Sequence, residues 1–132
     1  MEKMLSKGKK ILIVDDEPDF LKILQVKLES QGYEVILANN GLEAIEKARS
    51  HLPDLVLLDI IMPKLDGETT LMKIKQDLEL KDIPVIMLSG LGFDHNRLTS
   101  LGCGAEDYMI KPFEANELLQ KIEKALKPKK TE

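Results

Sequence analysis

The stretch Ile11-Leu-Ile-Val-Asp-Asp-Glu-Pro18 decides how the rest of the chain is read. Its first four residues are continuously apolar, without the polar alternation of a strand that keeps one wet face. Such a run reads as a strand buried on both faces, the kind found inside a parallel sheet. Two aspartates end it, and Pro18 follows with the fixed φ that suits the first turn of a helix. A buried strand that ends in carboxylates and passes directly into a helix predicts an α/β fold with its chemistry at the strand's carboxyl end.

The same alternation continues along the chain. Leu21, Leu24 and Leu28 recur at helical spacing, Gly32 is the expected C-terminal cap, and Tyr33 to Ala38 is the second strand. Asn40 with Glu43 three residues on resembles a capping box, opening a helix with Leu42, Ile45 and Ala48 inward. Leu55 to Leu58 is a third buried strand, and the loop from Pro63 to Gly67 leads to a helix bearing Leu71, Ile74 and Leu78. Pro84 to Leu88 is the fourth strand. Leu98 and Leu101 predict a short helix after the glycine-containing loop at Gly90 to Gly92. Asp107 to Ile110 is the fifth strand, and Leu118, Leu119, Ile122 and Leu126 mark the last helix. Strand and helix thus alternate five times, (βα)5, which predicts a doubly wound, flavodoxin-like five-stranded parallel sheet of order 2-1-3-4-5.

At 132 residues the chain has the size of one domain. With 43% hydrophobic and 32% charged residues it is neither disordered nor membrane-embedded in composition. Its apolar runs are too short to cross a bilayer, and Met1 to Lys10 has no secretory pattern, so a cytoplasmic location is expected. Residues 1–9 read as a leader, 10–126 as the folded domain, and 127–132 as a basic tail or the start of a linker. The net charge of −4 gives no electrostatic footprint for nucleic acid. The lysines at either end (Lys7, Lys9, Lys10; Lys127, Lys129, Lys130) read as solvated tails. A single cysteine, Cys103, excludes an intramolecular disulfide and reads as a small buried or semi-buried residue. His51 and His95 have no ligand pattern around them and read as surface residues.

At the strand ends stand Asp15 and Asp16, then Asp59, Ser89 and Lys111-Pro112. Strands one and three are neighbours in the expected order, so three carboxylates converge on one crevice, an arrangement that calls for a counter-ion. An all-oxygen set selects Mg²⁺ over zinc or copper. Simpler readings exist for each residue. Asp15 and Asp16 precede a helix N-terminus, where negative charge is favoured anyway. Lys111 pairs with Asp59 as a plain salt bridge, and Ser89 is an ordinary turn serine. Asp59, by contrast, caps nothing obvious. A cis Lys111–Pro112 bond would aim the lysine back into the crevice.

These residues give the chain its resemblance to the receiver domain of bacterial two-component response regulators, chemotaxis regulators among them. The matching stretches are Ile11-Leu-Ile-Val-Asp-Asp-Glu17, Pro53-Asp-Leu-Val-Leu-Leu-Asp59, Met62-Pro63 with Asp66-Gly67, Ser89, and Gly104-Ala-Glu-Asp-Tyr-Met-Ile-Lys-Pro-Phe113. The resemblance implies that Asp59 is the phosphoacceptor. Asp16 would bind Mg²⁺ directly, Asp15 through water, and the backbone carbonyl of Ile61 would complete the protein ligands. Ser89 and Lys111 would each hold a phosphoryl oxygen, and Tyr108 would be the aromatic that swings inward on activation. The donor would be a histidine kinase or histidine phosphotransfer protein. A downstream protein or output domain would be contacted through the face of the fourth helix, fifth strand and fifth helix, with no membrane and no direct nucleic-acid contact. The domain would assist its own phosphorylation and dephosphorylation without being a turnover enzyme.

Other readings fare worse. A Mg²⁺-dependent phosphohydrolase wants a second carboxylate two residues after the nucleophile, where Ile61 stands. A flavin carrier wants a Ser/Thr/Gly-rich cradle where Asp15-Asp-Glu17 would repel phosphate, and the intact acidic set argues against a receiver that has lost phosphorylation. Apolar Ile61 and Leu91 flank the expected route of attacking water, which predicts a long-lived phosphoryl group. Gly90 and Gly92 predict a mobile loop.

Overall fold

A computed structural model describes residues 8–60, 64–90 and 104–127. The sheet strands are β1 (Lys10–Val14), β2 (Glu34–Ala38), β3 (Leu55–Asp59), β4 (Val85–Ser89) and β5 (Asp107–Ile110). The helices among the described residues are α1 (Pro18–Ser30), α2 (Gly41–His51), α3 (Gly67–Gln76) and, last in the chain, α4 (Ala115–Leu126). All strand pairs are parallel, and the order is β2-β1-β3-β4-β5. The expected helix at Leu98 and Leu101 lies outside the described residues, as do Cys103, His95, Leu91 and Gly92.

Alternation along each strand divides the core between the two sheet faces. Ile11 and Ile13 join Leu21, Leu24 and Leu28 of α1 and Leu118 and Ile122 of α4. Leu12 and Val14 join Ala44 and Ala48 of α2 and Leu71 and Ile74 of α3. Strands β1, β3 and β4 sit between other strands and have helices on both faces. Their continuous apolar sequence follows from that position.

Helix ends follow local chemistry. Gly32, at φ 95°, follows the cap residue Gln31 of α1. Its N–H donates to Glu29 O and that of Tyr33 to Leu28 O, closing a Schellman turn. At α2 the Asn40 carboxamide accepts the Glu43 N–H at 2.9 Å, while the Glu43 carboxylate accepts from Asn39 N–H at 2.7 Å. The box thus closes one residue before the position expected. Asp66 caps α3 by accepting from Thr69 N–H at 2.7 Å.

Two expected core residues are in fact outside. Leu42 is exposed, and α2 buries Gly41, Ala44 and Ala48 instead. A Cβ on Gly41 would stand 2.2 Å from Thr70 Oγ1 and 2.6 Å from Leu65 O. Here α2 approaches α3 so closely that only its small residues fit between them. Leu78 is 82% exposed because α3 ends at Gln76, and the chain then turns so that Leu80 enters the core.

Candidate functional site

Parallel strands of similar length bring their carboxyl ends to one edge of the sheet. Val14 pairs with Leu58, so Asp15 follows β1 beside Asp59, the last residue of β3. Ser89 ends β4 and pairs with Ile110, directly before Lys111. The edge is held by backbone bonds that continue the ladder: Asp15 N–H to Ala38 O at 3.1 Å, Ile60 N–H to Leu88 O at 2.9 Å, and Lys111 N–H to Ser89 O.

Asp15, Asp16 and Asp59 each place one carboxylate oxygen within 4.8 Å of the others. Asp15 is fully buried, Asp59 is 6% exposed, and Asp16 opens to solvent. Asp15 Oδ1 accepts the Glu17 N–H at 3.0 Å, and its Oδ2 accepts from Lys111 Nζ at 2.6 Å. Lys111 Nζ stands 3.7 Å from Asp59 Oδ2 and 3.9 Å from Glu17 Oε1. The expected Lys111–Asp59 pair is therefore the longer contact, and the lysine's close partner is Asp15. Burial explains the preference: the carboxylate removed furthest from water has the greatest need of a cation. The Lys111–Pro112 bond is cis.

Three carboxylates against one ammonium leave the notch anionic. Hard oxygen donors with an open, solvent-facing side at Asp16 suit an oxygen-preferring divalent cation, so the residues present fit a metal. Ile61, expected to supply a carbonyl, lies outside the described residues. Ser89 is buried at the notch edge. Tyr108, expected to swing inward, is already inside: the residue is 7% exposed and belongs to the core cluster of Leu12 and Val14, and its buried hydroxyl has no hydrogen-bond partner among the described residues.

Two residues to which the sequence assigned no role also stand at the site. Phe20 lies with its ring centroid 4.1 Å from Lys111 Nζ. It precedes Leu21 in the α1 stripe and carries no signal of a site in isolation. Gly67 opens α3 and donates its N–H to Ile60 O at 2.8 Å. A Cβ there would meet Asp59 O at 2.1 Å, so glycine lets the helix start against the carbonyl of Asp59 itself.

Residues 11–123 match the family model of the response regulator receiver domain. The transcriptional regulatory protein PhoP for alkaline phosphatase synthesis in Bacillus subtilis is 40% identical over 120 residues, which is 91% of this chain and 49% of that protein. The DNA-binding dual master transcriptional regulator RpaA of Synechocystis is 36% identical over 118 residues, 89% of this chain and 49% of RpaA. The chain spans about half the length of the curated relatives it matches. Among solved structures, the BeF3-activated N-terminal receiver domain of Klebsiella pneumoniae RstA superposes with a TM-score of 0.85 at 31% identity, covering 91% of this chain and 100% of that one. The receiver domain of the sensor histidine kinase PA1611 of Pseudomonas aeruginosa, with a magnesium ion coordinated in its active-site cleft, gives 0.83 at 30% identity, covering 90% and 98%. With a family match running from β1 into α4 over the observed sheet order and acidic edge, the chain belongs to the receiver-domain family of two-component response regulators.

Proposed function

We propose that Asp59 accepts a phosphoryl group from a phosphohistidine of a histidine kinase or phosphotransfer protein. The observation that carries this reading is the gathering of Asp15, Asp16, Asp59 and Lys111 at one sheet edge. An Asp59 carboxylate oxygen attacks phosphorus; the P–N bond of the donor breaks, its electron pair returns to the imidazole, which takes up a proton, and an acyl phosphate forms. Attack by an anion on an anionic donor is opposed electrostatically, so positioning and charge neutralisation carry the catalysis. Asp16, Asp59 and the Ile61 carbonyl, assisted by Asp15, would hold Mg²⁺, which supplies charge neutralisation for the phosphoryl oxygens.

The chain's own residues do the rest. Lys111, already 3.7 Å from Asp59, moves from Asp15 toward a phosphoryl oxygen. The Ser89 hydroxyl donates to another. With Ser89 drawn to the phosphoryl group, the inward arrangement of Tyr108 is the one favoured, a shift between two packings biased by one modification. The domain acts as a switch and not as a turnover enzyme. Its relatives of twice the length are transcriptional regulators, so its target is a DNA-binding output segment or a partner protein, reached through the face of β5 and α4 in the cytoplasm.

Acetyl phosphate with Mg²⁺, followed by intact-mass measurement, tests the proposal. The wild type gains the mass of one phosphoryl group and the Asp59→Asn variant gains none. Equal labelling of the two variants, or none of the wild type, overturns it.

A further inference from the structure

We propose that Phe20 is a positioning residue for phosphoryl transfer, holding the Lys111 ammonium at the notch through the face of its ring. The proposal rests on the reading of Asp59 as the phosphoacceptor. Lys111 Nζ lies 4.1 Å from the Phe20 centroid, well inside the ~6 Å at which an aromatic quadrupole attracts a cation. The Phe20 ring meets Phe113 edge-on, with centroids 6.1 Å apart and planes at 78°. That is a favoured aromatic geometry, and it fixes the plane of Phe20. Phe113 follows Lys111 by two residues, so the chain segment that carries the ammonium also carries the ring that orients its platform.

The ring settles where the ammonium rests. A lysine on a flexible four-carbon stem has three N–H donors, and each carboxylate in reach competes for them. Glu17, 70% exposed and 3.9 Å from Nζ, offers an outward alternative to Asp15 and Asp59. An aromatic face attracts the charge without supplying a lone pair in the notch plane. It therefore keeps the ammonium inside while leaving donors for phosphoryl oxygens. Without the ring, the ammonium swings toward Glu17 and is less often placed for transfer.

The test uses the full chain, acetyl phosphate and Mg²⁺, with the time course of labelling read by intact mass. In this reaction the P–O bond to the acetyl oxygen breaks, acetate leaves with the electron pair, and the Asp59 O–P bond forms. Phe20→Leu keeps bulk without the quadrupole and is expected to label about two- to fivefold more slowly, the range for a partly exposed cation–π contact. Phe20→Tyr is expected to restore the wild-type rate, and adding Glu17→Gln to Phe20→Leu to recover part of the loss. Proton NMR gives a readout independent of transfer: the Lys111 ε-methylene protons are shifted upfield by the ring in the wild type and in Phe20→Tyr, and lose that shift in Phe20→Leu. A wild-type rate in folded Phe20→Leu, or equal slowing in Phe20→Leu and Phe20→Tyr, overturns the inference. If Phe20→Leu fails to fold, absence of the upfield shift in the wild type overturns it instead. A wild type that takes no phosphoryl group on Asp59 overturns the phosphoacceptor reading, a different result from equal rates.

Discussion

Replacing Gly67 by alanine sets helix propensity against packing, and the structure says which prevails. Gly67 begins α3, and alanine is favoured over glycine within a helix by about 1 kcal/mol. The residue's φ lies outside the left-handed region, so backbone strain does not oppose the change. Contact does. The added Cβ would lie 2.1 Å from Asp59 O, 2.6 Å from Ile60 Cα and 2.9 Å from Asp59 C, all below the 3.0 Å that real Cβ atoms essentially never cross. Every one of these neighbours is backbone, so no side chain can turn aside. Relief needs a relative shift of at least about 0.9 Å between the start of α3 and the end of β3. Forcing an extra methyl into such a site costs roughly 1–3 kcal/mol. The Gly67 N–H bond to Ile60 O, at 2.8 Å, would be stretched by the same movement.

The net expectation for Gly67→Ala is a loss of about 0–2 kcal/mol of stability after the propensity gain is set against the clash. With Asp59 as the proposed phosphoacceptor, the functional effect is larger, because the displaced atoms belong to that residue. A misplacement near 1 Å at a reacting centre lowers rates by about 10²-fold. Urea unfolding measures the first quantity, and the initial rate of acetyl-phosphate labelling measures the second. A variant as stable as the wild type that labels at the wild-type rate would refute the account of how α3 abuts Asp59. Gly67→Ser should behave like the alanine variant, since the obstacle is the Cβ itself.

Three further outcomes are expected. Mg²⁺ at tenfold excess over its dissociation constant should raise the unfolding free energy by about 1.4 kcal/mol, and Asp16→Asn should abolish that increment; a gain that persists in the variant would remove Asp16 from the ion site. The Asn39 N–H, hydrogen-bonded to Glu43, is the main reason that this carboxyl titrates below the usual glutamate range, with Lys47 adding to the effect against desolvation. A depressed acid stabilises the fold above its unfolded pKa and loses that contribution as pH falls through the folded value, so stability should decline between roughly pH 5 and 3 and more gently in Glu43→Gln; identical urea midpoints across that window in both proteins would contradict it. Tyr108→Phe removes a buried hydroxyl that has no partner among the described residues, so thermal unfolding should show stability unchanged or raised by up to about 1 kcal/mol, and a fall of more than 1 kcal/mol would mean that the hydroxyl is bonded after all.

The parts of the fold legible in the sequence are those governed by one local signal. Ile11 to Val14 and Leu55 to Leu58 are buried on both faces and so carry no polar interruption, and all five strands lie within a residue of their expected positions. Leu42 and Leu78 were misplaced for a different reason. Hydrophobicity favoured leucine as the inward residue, but the distance between α2 and α3 is set by Gly41 against Thr70 and Leu65, which selects the stripe of small residues one position away. That distance is a tertiary quantity, and no window of sequence contains it. Leu78 fell beyond a helix end that nothing stronger than Asp77 announces.

The acidic notch was legible because charge at the end of an apolar strand is conspicuous, whereas the partner of Lys111 was not. Both Asp15 and Asp59 lie beside it in the strand order, and only burial distinguishes them. Asp15 is the more deeply enclosed, and it takes the ammonium at 2.6 Å, leaving Asp59 at 3.7 Å. Under the proposed transfer of a phosphoryl group to Asp59, this division has a chemical consequence. A short bond from Lys111 to the nucleophile would draw electron density from the oxygen that must attack phosphorus. The same ammonium seated on Asp15 remains within reach, ready to meet negative charge once it arrives on the phosphoryl oxygens. The resting pair thus keeps the cation where it favours the transferred group more than the attacking one, which is the differential stabilisation that catalysis requires.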